Sequence, residues 1–264
     1  MACLDLKGLT VLVTGASAGM GVEFARQLQA KGVGRLILVA RRLERLEALA
    51  AELQVPCEVM SVDLTDAAQI DALHERFPDV DVIINNAGFG KAGAHLDNLG
   101  ASLSMLDLNC RALLQLGDLY LPRMVQQGRG GILNVGSTAG MVPLPTMALY
   151  GATKAFVNSF SDALRSELRG TGVNVSCLAP GPVATEFFAV AADGAADPPA
   201  WAMASPQKVV RDALRGLERN TPIVTPSFHI RWGMGIARTA PSWLVRLFTG
   251  LYGKAVMSFS GDKQ

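Results

Sequence analysis

Tyr150 and Lys154 stand four residues apart, and Ser137 lies thirteen residues before the tyrosine, at the end of the apolar run ILNVGS. On a helix, positions four apart share one face, so the lysine ammonium sits beneath the phenol. A cation there stabilises the phenolate and is expected to move the tyrosine pKa down from about 10 toward neutrality. Such a phenol is a general acid or base, and the Ser137 hydroxyl is spaced to reach the same carbonyl or carbinol oxygen. A surface tyrosine beside a solvated lysine is the plainer alternative, and the pair alone does not exclude it. The choice depends on what the rest of the chain delivers to the same place.

The chain has 264 residues, half of them apolar, and a net charge of +1. That length suits one large α/β domain, and the charge balance gives no reason to expect a nucleic-acid partner. Cys3, Cys57, Cys110 and Cys177 are widely spaced, as are His74, His95 and His229. No metal-ligand spacing or disulfide frame is present, so the cysteines read as small buried residues in a reducing compartment. MACLDLKGLT lacks the apolar core of a signal peptide, and the expected location is cytoplasmic. The long uncharged run from Gly130 to Thr153 contains Asn134, two prolines and several glycines, which fits a strand, loop and helix start better than a membrane helix.

Taken in order, LTVLVTG (Leu9 to Gly15) reads as a strand, followed by TGASAGMG and then the helical pattern VEFARQLQAKG. Glycines at that junction let the chain turn tightly and let a phosphate approach N–H groups at a helix start. The spacing G-x-x-x-G-x-G also fits a plain strand-to-helix turn, but the strand before and the helix after favour a dinucleotide site. The second strand, RLILVARR, ends in basic residues where an NAD-binding chain would place a carboxylate. Arg41, and with less reason Arg42, suits a ribose 2′-phosphate, because a guanidinium donates in pairs and stacks on adenine. Pairing of Arg41, Arg42 and Arg45 with Glu44 and Glu47 on a solvated helix is the alternative.

PCEVMSVDL gives a third strand with Asp63 at its end, and Asp66 to Phe77 a helix capped by Thr65 or Asp66. VDVIINNAG (Val80 to Gly88) is a fourth strand whose Asn85-Asn86-Ala87-Gly88 would line the crevice beyond the strand ends. One long helix is expected from about Leu96 to Gln127, interrupted in its apolar pattern by Asn109, either a satisfied core amide or a bend that holds a water near Lys154. GGILNVGS is a fifth strand, the Tyr150–Lys154 helix runs to about Arg169, and GVNVSCLAPGPVATEF supplies a sixth with Pro180-Gly181 at its exit. TPIVTP reads as a seventh. Strands alternating with helices predict a doubly wound Rossmann-type parallel sheet of about seven strands in one α/β domain, with every residue singled out on one edge.

With TGASAGMG, NNAG, Asn109, Ser137, YGATK and PGPVAT in this order, the chain resembles the short-chain dehydrogenases/reductases over about Leu6 to Ile223. The resemblance implies Tyr150 as catalytic acid/base, and Lys154 as the group that lowers its pKa and binds the nicotinamide ribose. It also implies Ser137 as polariser of the substrate oxygen and Asn109 as support for a proton relay. Gly15, Ser17, Gly19, Met20 and Gly21 would hold the cofactor phosphates and adenosine ribose, and Asp63 and Leu64 would flank adenine. Asn86, Ala87 and Gly88 would flank ribose and nicotinamide, and Pro180, Gly181, Val183 and Thr185 would close over the nicotinamide. The implied reaction is hydride transfer between NADP(H) and a carbonyl or secondary alcohol, with a reduced cytoplasmic NADP pool favouring reduction. A homodimer or homotetramer is implied as well, with no metal.

The stretch 186–205, carrying Phe187, Phe188, Trp201 and Met203, reads as an apolar lid within a catalytic unit spanning 1–227, with an ordinary connecting loop as the alternative, and favours a hydrophobic ketone or 3-oxoacyl substrate. Residues 228–264 read as a helical extension. From Ser242 as N-cap, Trp243, Leu244, Leu247, Phe248, Leu251, Tyr252, Val256 and Phe259 form an amphipathic face, expected to bury against the domain or a second subunit. Peripheral membrane contact through 242–259 is the rival, supported by Arg231, Arg238, Arg246 and Lys254. A catalytically idle nucleotide sensor would be expected to lose Ser137, Tyr150 or Lys154, and a methyltransferase would not need the Tyr–Lys pair.

Overall fold

The computed structural model describes residues 3–187, 191, 203–247 and 249–250. Apolar runs too short for helices become strands β1 (Thr10–Thr14), β2 (Arg35–Ala40), β3 (Cys57–Ser61), β4 (Val82–Asn85), β5 (Gly130–Val135), β6 (Val173–Leu178) and β7 (Ile223–Val224). All pair in parallel, in the order β3-β2-β1-β4-β5-β6-β7. The order reverses between β1 and β4, which opens a crevice beyond their C-terminal ends. The single sheet with helices on both faces is the doubly wound architecture expected from the sequence.

Central strands bury both faces, so alternate residues feed two cores. Val11, Val13, Leu36 and Leu38 pack on helix α1 (Gly19–Ala30) through Phe24 and Leu28, and on α7 (Pro206–Glu218) through Val210 and Leu214. Leu12, Ile37 and Ile83 point the other way, onto Ile70 and Leu73 of α3 (Ala67–Arg76) and Leu116 and Tyr120 of α5 (Ala112–Gln127). Helix α2 (Leu43–Glu52) covers β2 and β3, and α6 (Ala148–Glu167) covers β5 and β6. Asp66 caps α3 by accepting from the Ala68 N–H at 2.9 Å. Helix α5 ends on Gly128 at φ +65°, a left-handed closure for which glycine has no steric penalty.

The expected single helix from Leu96 to Gln127 is instead four pieces. A 3-10 segment (His95–Ala101) leads into α4 (Ser102–Leu106), then a π-turn (Asp107–Arg111), then α5. Asn109 lies inside the π-turn and supplies the reason: its amide bonds the backbone of another segment, and the wider turn lets it project there.

Beyond β7, α8 (Phe228–Thr239) runs to Ala240, and helical residues 242–247 follow. The cap of that last run is Pro241, whose carbonyl accepts from Leu244, and not Ser242. Trp243 and Leu247 are exposed, so this part of the face does not bury against the chain's own domain, one of the two partners expected for it. Phe188, Trp201, Phe248, Lys254 and the apolar positions from Leu251 onward lie outside the described residues. Among the described residues, no helix is long and apolar enough to cross a membrane.

Candidate active site

The end of β5 presents Ser137, and the 3-10 turn Thr138–Gly140 that follows lies directly on α6. A Cβ on Gly140 would stand 2.3 Å from the Ala155 nitrogen and 2.4 Å from the Lys154 carbonyl carbon. Only glycine permits that approach, and it fixes the distance between the serine and the helix that carries the tyrosine and lysine. Tyr150 and Lys154 are both buried on α6, with the lysine Nζ 5.8 Å from the centre of the phenol ring. Lys154 Nζ donates to the Val135 carbonyl at 2.7 Å.

The electrostatics depart from the sequence expectation. Burial pushes the Tyr150 phenol up to about 12, and the Ser137 hydroxyl pulls it only partway back. Burial brings Lys154 down to about 8, against the opposing influence of the Cys177 and Cys110 thiols. The lysine Nζ is engaged with the Val135 carbonyl, and desolvation of the phenolate dominates. Serine, rather than lysine, lowers the tyrosine pKa in this arrangement.

Asn109 donates to the Phe89 carbonyl at 2.9 Å and to Thr153 Oγ1 at 3.0 Å, and accepts from the Phe89 N–H at 3.1 Å. Between them lies Gly88, where a Cβ would meet Asn109 Oδ1 at 3.0 Å and Lys154 Nζ at 3.3 Å. Asn158, one turn beyond Lys154, makes the same two-sided contact with Ser137. It donates to the serine carbonyl at 2.9 Å, and its Oδ1 accepts from the serine N–H at 3.4 Å. Sequence reading missed Asn158; its spacing of four from Lys154 and eight from Tyr150 on one helix face was the available signal.

The glycine-rich turn joins the same edge. Gly15 and Gly19 have φ of +65° and +54°, and a Cβ on Gly21 would stand 2.1 Å from the Gly15 carbonyl oxygen. Ala18 caps helix α1 without a side-chain hydrogen bond, so the first N–H groups of the helix have no side-chain acceptor. This cradle fits a dinucleotide phosphate, which such N–H groups and the helix dipole attract. Thr185 packs on Gly19 at the other side of the cradle, and Met20 packs on the core. Thr14 was not anticipated: its Oγ1 accepts from the Asn86 and Ala87 N–H groups, each at 3.0 Å, and so ties the end of β1 to the end of β4. The Asn86 amide is turned onto the Thr14 and Gly15 carbonyls at 2.9 and 3.2 Å, bracing the turn.

Arg42 donates to Ser17 Oγ at 3.2 Å and approaches Glu186 at 3.6 Å, and Arg45 reaches the same glutamate at 3.2 Å. Among the described residues, no pairing of these arginines with Glu44 or Glu47 is present. Arg41 is exposed, and its charge helps hold the Asp63 carboxyl below the usual range, behind the larger effect of Thr65, which donates from both its N–H and its hydroxyl. The Leu64 side chain is buried in the core, which leaves only its backbone toward the crevice. On the opposite wall, the Pro180 carbonyl accepts from Thr138 at 3.0 Å, Ile230 of α8 lies over Gly181, and Val183 is buried. Phe187 packs on Tyr150 with ring centres 5.4 Å apart.

Residues 9–195 match the model of the short chain dehydrogenase family. A sulfoacetaldehyde reductase of Chromohalobacter salexigens is 42% identical over 193 residues, covering 70% of this chain and 76% of that one. An NADP-dependent 3-hydroxy acid dehydrogenase of Salmonella typhi, YdfG, is 41% identical, covering 69% and 76%. A short-chain dehydrogenase from Sphingobium yanoikuyae solved in complex with NADPH superposes with a TM-score of 0.79 at 35% identity, covering 88% of this chain and 93% of that one. The chain belongs to the short-chain dehydrogenase family. It is an NAD(P)-dependent oxidoreductase acting on a CH–OH group or the corresponding carbonyl.

Proposed function

We propose that the protein is an NADP(H)-dependent carbonyl reductase, with Tyr150 as proton donor and Ser137, Lys154 and Asn109 completing the catalytic group. The observation that carries this reading is the burial of Tyr150 against Ser137 on the same sheet edge as the glycine cradle. A nicotinamide cofactor, when bound, supplies the hydride. Tyr150 Oη delivers the proton to the substrate oxygen, and Ser137 Oγ hydrogen-bonds the charge that develops there. Lys154 would bind the nicotinamide ribose, its Nζ standing 5.8 Å from the centre of the phenol ring. Asn109 fixes the Phe89 backbone and, beside Gly88, stands at the start of a proton path to Lys154.

Gly15, Ser17, Gly19, Met20 and Gly21 would hold the phosphates and adenosine ribose, with Arg41 and Arg42 on the 2′-phosphate. Asp63 and the Leu64 backbone would flank adenine. Asn86, Ala87, Gly88, Pro180, Gly181, Val183 and Thr185 would enclose the ribose and nicotinamide. The preference for NADP rests on Arg42 meeting Ser17 at the end of β2.

The substrate we favour is an apolar ketone or 3-oxoacyl compound, because Phe187 forms a hydrophobic wall on the reactive phenol. A small polar hydroxy acid or aldehyde is the second reading, favoured by the names of the relatives above. Residues 1–227 would form the catalytic unit, with a lid over 186–205, and 228–264 an extension. Leu96, Leu99, Leu103, Leu106 and Phe156 are exposed apolar side chains, which supports a homo-oligomer. The test is NADPH oxidation over carbonyl compounds of graded chain length, beside sulfoacetaldehyde and a 3-oxo acid. Faster turnover of the polar pair reverses the substrate reading, and no turnover of anything returns the chain to an idle nucleotide sensor.

A further inference from the structure

Helix α8 meets the catalytic domain through Ile230, which lies so close over Gly181 that a Cβ there would be 2.3 Å from Ile230 Cδ1. At 100° per residue, Trp232, Gly235, Ile236 and Thr239 fall on the side of α8 opposite Ile230. That outer side is bare: Trp232 is 62% exposed and Ile236 58%. After the break at Ala240-Pro241, the helical run 242–247 repeats the pattern, with Trp243 63% and Leu247 52% exposed at positions four apart. Two tryptophans and two aliphatic side chains are therefore held in water by adjoining helical segments.

The charges of this region have one sign. From Phe228 to Gly261 the sequence contains Arg231, Arg238, Arg246 and Lys254, and no aspartate or glutamate. Arg231 and Arg238, seven apart, occupy positions on one flank of α8, between its inner and outer sides. Arg246 is exposed and donates to Ser242 Oγ at 3.0 Å; among the described residues it meets no carboxylate. Aromatic and aliphatic side chains facing outward, in a stretch whose charged residues are all basic, match the polarity of a bilayer surface with anionic headgroups. A second copy of the chain fits less well, since symmetric pairing of this face brings like charges together with no acid to answer them.

We propose that the outer face of α8 and the segment following it form a docking surface for an anionic lipid bilayer. Because the inner side of α8 rests on Gly181, docking holds the wall of the substrate crevice close to the lipid surface. Tryptophans sit in the headgroup region, where their rings are buried and their N–H groups stay hydrated. The exposed Arg246 guanidinium meets the lipid phosphates.

The experiment is co-sedimentation of the full chain with vesicles of phosphatidylcholine alone and of phosphatidylcholine with phosphatidylglycerol at about 3:1, alongside tryptophan emission. The protein is expected to sediment with the anionic vesicles, with a blue-shifted emission, and about tenfold less in high salt. The double variant Trp232→Ser/Trp243→Ser is expected to lose about tenfold in partitioning while keeping its thermal transition and its turnover of a water-soluble carbonyl. Arg246→Glu, at an exposed position, provides a second variant that does not disturb packing, and it should weaken binding by about fivefold or more. Failure to sediment with anionic vesicles overturns the proposal. Equal partitioning onto phosphatidylcholine alone overturns it too, as does a dimer in sedimentation velocity that the double tryptophan variant abolishes while neither protein binds lipid.

Discussion

Asn158 grips Ser137 by both backbone groups, donating to its carbonyl at 2.9 Å and accepting from its N–H at 3.4 Å. Its Oδ1 also takes the Cys177 thiol at 3.4 Å, so the amide is fixed from a third direction. Gly136 makes room for it: a Cβ there would stand 2.0 Å from Asn158 Oδ1. Helix α6 thereby positions the serine with the same face that carries Tyr150 and Lys154.

Asn158→Leu should leave the Ser137 backbone unpaired in a buried place, at a cost of about 2–4 kcal/mol in stability. If Asn158 is a positioning residue for Ser137, kcat should fall by about tenfold or more while KM for NADPH stays nearly constant. The pH profile distinguishes this from general loosening, because misplacing Ser137 removes the interaction that lowers the Tyr150 pKa. The variant's profile should shift in the same direction as that of Ser137→Ala; an unshifted profile would refute the positioning role.

Tyrosine absorbance gives a direct test of the phenol. With burial pushing Tyr150 up to about 12, the difference between the wild-type protein and Tyr150→Phe should show no phenolate below about pH 10. Ser137→Ala should move that ionisation higher still. In kinetics, reduction uses the neutral phenol and should be flat from about pH 6 to 8, while alcohol oxidation should climb with pH as phenolate forms. Tyr150→Phe should abolish turnover and leave NADPH binding nearly intact. A phenolate signal at neutral pH in the free protein would contradict the burial account.

Most of the fold was legible because both-sided burial writes itself into the sequence as short Val/Ile/Leu runs, as in VLV, LILV and VIIN. Placement of Tyr150, Lys154, Ser137 and the glycines on one edge followed from the alternation of strands with helices. Contacts fixed only by tertiary packing were not legible. Nothing local in Asn109 announces a π-turn, because the turn exists to bring its amide to Phe89, twenty residues away. Asn158 and Thr14 likewise act on segments distant in sequence. The direction of the Tyr150 shift is a related case: spacing puts Lys154 on the right face, whereas the depth of burial decides which form of the phenol is favoured.

Lys154 carries a stability signature of its own. Its folded-state pKa of about 8 lies below the ordinary 10.5, so between those values the unfolded chain binds more protons than the folded one. Under linkage, stability then rises with pH across that window, and the penalty for burying the cation is fully present below about pH 8. The shift corresponds to on the order of 3 kcal/mol. Lys154→Met should lack this rise, so denaturant unfolding of wild type and variant from pH 7 to 10.5 should diverge in favour of wild type as pH increases. Parallel curves would show that the lysine is not held against its charge. Turnover should be lost in the variant at every pH.

Cofactor choice should turn on Arg42 and the acid that shares it. Arg42 contacts Ser17 within the glycine-rich turn and also Glu186, and Arg45 reaches the same glutamate. These pairs are exposed and individually weak, so a cofactor phosphate can replace Glu186 at little cost. Arg42→Ala should lower the preference for NADPH over NADH, measured as the ratio of kcat/KM values, by about tenfold, since a guanidinium fork is matched to phosphate and alanine offers nothing. Glu186→Gln should act in the opposite direction, lowering KM for NADPH by about two- to fivefold, because a neutral amide no longer competes for the arginine. NADH kinetics should barely respond to either change. If the ratio is untouched in Arg42→Ala but falls in Arg41→Ala, the 2′-phosphate site belongs to Arg41, and Arg42 serves only to hold Glu186.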